Sequence, residues 1–378
     1  MPELSPVPLA QLTTLRTGGA PHRLVEATTT DELIATLRSV WADGDPWLLV
    51  GGGSNLFVGD EPFPGTVVLV RTRGIERLPG SRPGTARLRV QAGHDWDELV
   101  AYTVAEGLGG VEALSGIPGT VGAAPVQNIG AYGQEIVQTL VEVELLDEHT
   151  GDVSVVPASE LGLGFRTSVL KHHYGSVPAR SAAILSVTFE LEEVGDRARP
   201  IAGEQLRTAL RLAPDAAVPL SYVRESVLAI RRSKGMVLDP GDPDTTSAGS
   251  FFQNAIVSDA FARTLPAECP RWPVSPDLDT VLVIPLAEFD GVVPALAAAA
   301  PEVKVSAAWL IEHSGLGKGF RLPRSRAGLS TKHTLALTNR GGASAEELAE
   351  LARFVQQRVQ SEFGLLLQPE PVLVNVEL

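Results

Sequence analysis

The chain has 378 residues, 44% hydrophobic and 20% charged, which supports a sizeable core and more than one domain. A formal net charge of -14 excludes a general nucleic-acid binder, which needs clustered Lys and Arg, but not a small anionic substrate held by a few local cations. A single cysteine, Cys269, excludes an internal disulfide, the N-terminal "MPELSPVPLA" has no basic or apolar leader pattern, and apolar runs such as 292–300 are too short to span a bilayer, so a soluble cytoplasmic protein is expected.

From the N-terminus, residues 31–44 carry apolar residues at helical spacing behind an acidic start, which predicts a helix ending near Gly44. "PWLLV" predicts a strand running into "GGGSN". Main-chain N–H groups unhindered by side chains can curl there into an anion-binding nest, so Gly51, Gly52, Gly53, Ser54 and Asn55 are candidate phosphate ligands. A plain turn is the alternative, and three consecutive glycines make it entropically wasteful. The pattern matches neither GxGxxG nor GxxxxGK[ST], so it does not support a Rossmann or P-loop fold. Residues 66–70 and 86–93 predict strands, and 95–107 a second helix closed by Gly107.

The block 108–133 is too rich in glycine and small residues to be regular throughout, and predicts a long ordered loop or a linker. Within it, 115–135 interleaves five glycines and two prolines with Thr120, Gln127, Asn128 and Tyr132. Such a loop can lie flat against a large planar ligand or serve as a lid without one, and the residues leave both readings open. Strands are predicted at 140–147, 151–157 and 182–194, with 195–200 a surface connection. Arg166 stands in the apolar "LGFRTSVLK", first as a structural ion-pair partner and second as an anchor for a carboxylate or phosphate.

In the second half, Tyr222 of "SYVRES" reads as an ordinary half-buried tyrosine. The basic run 230–235 reads as a solvated face or as a partner for a diphosphate. Ser250, in "TTSAGSFFQN", lies between an open backbone and two phenylalanines. It is a turn residue, the cap of a helix beginning near Phe251, or the proton donor of an active site. Residues 312–320 read as a turn, the seven histidines show no metal-ligand spacing, and His172 and His173 read as surface residues. Residues 344–364 form the clearest helix: Ser344 and Glu347 have capping-box spacing, Leu348, Leu351, Val355 and Val359 share one face, and Gly364 closes it. The last segment is predicted as strand, partly irregular or at a sheet edge because prolines bracket Glu370.

In order along the chain, "TTLRTGGA", "VGGGSN", "IPGTVGAAPVQNIGAYGQE", "GFRTSVLK", "SAGSFFQNAIV" and "PEPVLVN" together resemble the UDP-N-acetylenolpyruvoylglucosamine reductase family, in its tyrosine-bearing form. The resemblance implies an α+β fold, with a two-subdomain FAD-binding module of the vanillyl-alcohol-oxidase type (12–74 and 75–220) and a C-terminal substrate domain (221–378) whose last strand returns to the module. It implies noncovalent FAD, NADPH as co-substrate and the enolpyruvyl ether of UDP-N-acetylglucosamine as substrate, reduced to UDP-N-acetylmuramate for peptidoglycan by a monomer. Hydride would pass from flavin N5 to C3, leaving enolate character over C2 and the carboxylate.

Carried over residue by residue, the resemblance assigns Ser250 as the donor of the C2 proton, with Arg166 and Glu370 at the developing charge. It assigns Gly119, Thr120, Gly122, Gln127, Asn128 and Gly130, with the "GGGSN" residues, to FAD. It assigns Tyr132, Tyr222, Arg231, Lys234, Asn254 and His333 to the substrate, with the phenylalanines after Ser250 excluding water. Phe165 departs from members with tyrosine there. The rivals are another FAD-dependent oxidoreductase on the same flavin fold, which has no need of Ser250, Arg166 and Glu370 together, and an inactive nucleotide-sugar binder, which would have lost one of the three.

Overall fold

The computed structural model describes residues 3–171, 179–201, 203–274 and 301–378. The adjacent histidines His172 and His173 and the apolar run 292–300 lie outside the described residues. Among the described residues no helix is long and apolar enough to cross a membrane.

The first unit is a sheet in the order Glu3–Leu4, Pro21–Ala27, Phe63–Val70, Trp47–Val50. Its last three strands are parallel, so they need crossover connections. The helix Thr30–Asp43 supplies one of them. Thr29 caps it reciprocally with Glu32, and Gly44 ends it in the left-handed region at φ 73°. Its buried face, Leu33, Leu37 and Val40, belongs to the same core as the second sheet.

That second sheet is antiparallel, ordered Val153–Pro157, Leu140–Asp147, Ala182–Glu193, Thr85–Gln91, Ile75–Pro79. The central strand Ala182–Glu193 is buried along most of its length, as its run of β-branched and aromatic residues requires. The helix Trp96–Ala105, capped by Asp95, packs Trp96, Leu99 and Val100 into this core. The glycine-rich block then runs as three single 3-10 turns, Glu112–Leu114, Val121–Ala123 and Pro125–Gln127, and a two-residue hairpin, Gly130–Ala131 with Gln134–Glu135. It is ordered and irregular, as its composition predicts. The connection 195–200 differs from expectation: Arg199–Pro200 pairs with Ala217–Val218, and Arg199 bridges Glu112 and Glu192.

The last unit begins with the helix Leu220–Ser233. A three-stranded antiparallel sheet follows, with Glu302–Val305 between Ala255–Ser258 and Arg271–Val274. The helices Ala307–His313 and Ala345–Phe363 cover its core. That core also takes in Leu15 and Phe57 from the first unit. The chain ends where its prolines allow: only Val372–Val374 is strand, and it pairs in parallel with Leu56–Val58 of the first unit.

The long C-terminal helix has both halves of its capping box, Glu347 N–H donating to Ser344 Oγ at 3.1 Å and Ser344 N–H to Glu347 Oε2 at 2.9 Å. Ser344→Ala is therefore expected to destabilise the protein by about 1 kcal/mol. Urea unfolding followed by circular dichroism checks this, and an unchanged midpoint would contradict it.

Candidate active site

Two glycine segments lie against each other at the head of the first unit. A Cβ on Gly51 would sit 2.3 Å from Thr120 Oγ1, and one on Gly52 2.7 Å from Gly119 Cα. A Cβ on Gly53, at φ +61°, would sit 2.0 Å from the Leu12 carbonyl oxygen. Gly122 is equally close to Ala92. Ser54 Oγ donates to the Pro118 carbonyl at 2.8 Å and ties the two segments together. Among the described residues the main-chain N–H groups of Gly52, Gly53 and Ser54 donate to no protein acceptor. Free N–H groups on a bare, turned backbone fit the diphosphate of a dinucleotide, and this cradle supports FAD as the group held here.

Beside the cradle, Asn55 and Gln127 meet: Asn55 Nδ2 donates to Gln127 Oε1 at 2.6 Å. The same amide oxygen accepts from Lys171 Nζ at 2.8 Å, and Lys171 also donates to the Glu370 main-chain carbonyl at 2.9 Å. Arg166 Nε lies 3.1 Å from Glu370 Oε1. Arg166 also donates to the Gly130 carbonyl at 2.8 Å and holds a left-handed backbone at φ 58°. The first reading of Arg166 from sequence, an ion-pair partner, is the one seen here. Asn128 is buried, with its amide bonded to Glu135, Gly164 and Val137, so its side chain orders the loop.

Ser250 heads no helix, which removes the capping alternative. Instead 251–253 runs beside 368–370: Glu370 N–H donates to the Phe251 carbonyl at 2.8 Å, and Gln253 N–H to that of Gln368 at 3.0 Å. The serine is half-buried, and among the described residues its hydroxyl has no hydrogen-bond partner. Phe251 and Phe252 do not wall the cleft as expected from sequence. They are 0% and 1% exposed, pack edge-on with Phe57 and each other, and anchor the serine from the core.

A second group of cations stands nearby. Arg231 is buried, donates to the Met236 carbonyl at 2.9 Å, and leaves its Nε without a partner. Lys234 Nζ sits 5.9 Å from the centre of the Tyr132 ring. Burial, and then the charges of Arg231 and Lys318, push the Lys234 ammonium below its ordinary value. Burial, followed by Lys234 and Lys318, pushes His333 down to about 4. Burial pushes the Tyr132 phenol up. Tyr132, Arg231, Lys234 and His333 therefore share one environment, and mutually destabilised cations of this kind favour an anion between them.

Two predicted residues stand apart. Tyr222 is 40% exposed on the helix Leu220–Ser233. Asn254 accepts the Ala307 N–H at 3.0 Å, at the start of a helix. Two lysines were missed. Lys318 was read as part of a turn, and a lysine flanked by glycines in "GLGKG" was the available signal. Lys171 closes the stretch quoted for Arg166 and carries no sequence mark of its burial.

Comparison with known proteins agrees with this architecture. A family model described as FAD binding domain matches residues 21–156, and one described as UDP-N-acetylenolpyruvoylglucosamine reductase, C-terminal domain, matches 242–374. The UDP-N-acetylenolpyruvoylglucosamine reductase of Leifsonia xyli subsp. xyli is 53% identical over 382 residues, covering 99% of each chain. That of Thermobifida fusca is 47% identical over 373 residues, covering 98% of each. The crystal structure of the reductase from Thermus caldophilus superposes with a TM-score of 0.61 at 25% identity, covering 99% of each chain.

Because His333 is held neutral by burial and by neighbouring cations, its ring should titrate near 4, well below the ordinary 6.5. Lys318→Met and Lys234→Met should each move that titration upward, as removing a cation relieves the charged imidazole. Proton NMR of the ring resonances over pH 3.5–8 checks this; a titration near 6.5 in the unmutated protein would overturn it.

Proposed function

The chain belongs to the UDP-N-acetylenolpyruvoylglucosamine reductase family, and from that premise we propose how its own residues carry out the NADPH-dependent reduction of UDP-N-acetylglucosamine-enolpyruvate to UDP-N-acetylmuramate. The protein is an FAD-dependent oxidoreductase of α+β fold, built from an FAD-binding module and a C-terminal domain. When bound, FAD supplies the redox chemistry, accepting a hydride from NADPH and delivering one to C3 of the enolpyruvyl group.

The residues then divide the remaining tasks. Gly51, Gly52, Gly53, Ser54 and Asn55 hold the diphosphate of FAD through main-chain N–H groups, with Gly119, Thr120, Gly122, Gln127, Asn128 and Gly130 lining the cofactor from the facing loop. Arg166, fixed by its ion pair with Glu370, holds the carboxylate end of the substrate and offsets the negative charge that develops as C3 is reduced. Ser250 gives its hydroxyl proton to C2, completing the addition of hydride and proton across the double bond. A hydroxyl is weakly acidic, so it keeps its proton until a strongly basic carbon appears. Arg231, Lys234 and His333 receive the nucleotide diphosphate, Tyr132 lines it, and Tyr222 and Asn254 act on the substrate as it closes in.

The observation that carries this reading is the convergence of the Arg166–Glu370 pair, 3.1 Å apart, with the Ser250 segment bonded to the Glu370 main chain. We further propose a cytoplasmic monomer with noncovalent flavin, divided at 12–74, 75–220 and 221–378. The three parallel strands lie between 21 and 70 and the antiparallel sheet's strands between 75 and 193, which supports a division near residue 74, and the buried, free Cys269 suits a reducing compartment.

Rapid mixing tests the assignment of Ser250. Ser250→Ala should keep its flavin and its reduction by NADPH, while reoxidation by the enolpyruvyl nucleotide falls ~10²–10⁴-fold. Ser250→Cys should retain more of that second step than alanine does. Equal, near-normal reoxidation in both variants would remove Ser250 from the chemistry. Reoxidation of the unmutated protein by dioxygen alone would point to a different flavin enzyme.

Lys234 serves binding. Lys234→Ala should raise KM for the nucleotide sugar and leave kcat nearly unchanged. Steady-state kinetics checks this, and a fall in kcat at constant KM would contradict it.

A further inference from the structure

Resting on the function proposed above, we infer that Lys171 is a positioning residue for the reduction: it locks Glu370 and Gln127 into one arrangement and, with Arg166, makes the substrate pocket electropositive. Lys171 is 5% exposed. Its ammonium reaches two segments distant in sequence, donating to Gln127 Oε1 at 2.8 Å and to the Glu370 carbonyl at 2.9 Å. Gln127 Oε1 also accepts from Asn55 Nδ2 at 2.6 Å. Two donors on one amide oxygen settle which end of the Gln127 side chain faces them, so its NH2 is turned the other way as a donor. The FAD-binding loops, the Arg166 segment and the C-terminal segment thus meet at one nitrogen.

The charges agree with this. Among the described residues, Arg166, from the same segment, and Glu370, from the C-terminal one, are the charged groups acting on Lys171; Asn55 and Gln127 are neutral. Two cations therefore face one carboxylate, leaving a positive excess for the substrate carboxylate and for the charge that grows on it. Burial pushes the Lys171 ammonium down to about 8, with Glu370 opposing and Arg166 adding to the shift. As pH rises through that value the lysine loses its proton and the pocket loses its positive excess.

The test is rapid mixing of the FAD-loaded enzyme over pH 6–10, with NADPH and then with the enolpyruvyl nucleotide. In the unmutated protein the second half-reaction should fall above about pH 8. Lys171→Met should slow it by at least ~10-fold at pH 7 and abolish the fall near pH 8, because the ammonium whose proton loss causes it is gone. Lys171→Arg should restore most of the rate and carry the plateau past pH 8. The NADPH half-reaction should change little in either variant. A normal rate in Lys171→Met, or an unchanged fall above pH 8, would overturn the inference. If Lys171→Met loses its flavin, the unmutated profile decides alone, and a flat one across pH 8 overturns it. Failure of the unmutated protein to be reoxidised by the enolpyruvyl nucleotide would overturn the proposed function itself and this inference with it; variant results in an active background bear on Lys171 alone.

Discussion

The site depends on how residues 368–372 are held. Pro369 and Pro371 have no N–H, so only alternate residues of this stretch can donate. Those donors go to opposite partners: Glu370 N–H to the Phe251 carbonyl at 2.8 Å, and Val372 N–H to that of Asn55 at 2.9 Å. The segment is thus stitched to the C-terminal unit on one side and to the FAD-binding unit on the other. Glu370 lies between the two attachments, and its carboxylate meets Arg166 while its carbonyl receives Lys171. That stitching brings the Ser250 segment to the carboxylate that Arg166 meets.

Three residues of the site also carry backbone strain. Asn128, Tyr132 and Arg166 adopt φ of 44°, 55° and 58°, a region that side chains other than glycine's seldom enter. Two of them are held there by the surrounding structure: Asn128 by its saturated amide, Arg166 by Glu370 and the Gly130 carbonyl. A strained loop over-determined by hydrogen bonds presents fixed dipoles, and fixed dipoles stabilise developing charge without reorganising. Stability given up locally becomes preorganisation.

The electrostatics are local. The chain is strongly acidic overall, at -14, yet its cleft gathers Arg166, Lys171, Arg231 and Lys234, with Lys171 and Lys234 shifted down by burial. Several acidic residues elsewhere are paired at the surface, as in Arg73–Glu98 and Arg77–Glu193, where solvent screens them. An anionic nucleotide is therefore repelled weakly by the whole and attracted strongly by one place.

Much of this was legible in the sequence because it is local. The helix Ala345–Phe363, with Ser344, Glu347 and Gly364 at its ends, follows from period and capping alone, and the strand Leu140–Asp147 has the bounds its alternation suggests. The close approach of the two glycine segments at Gly51–Gly53 follows from three missing side chains. Sequence and resemblance also named Ser250, Arg166 and Glu370, which the fold brings to one cleft. The sequence could not reveal what depends on contacts across hundreds of residues. That Phe251 and Phe252 face the core, that Ser250 caps nothing, that Asn254 serves a helix start, and that Lys171 and Lys318 are drawn into the charge cluster were all decided by packing. A lysine's burial and charge state are properties of its surroundings, and only the tertiary structure supplies those.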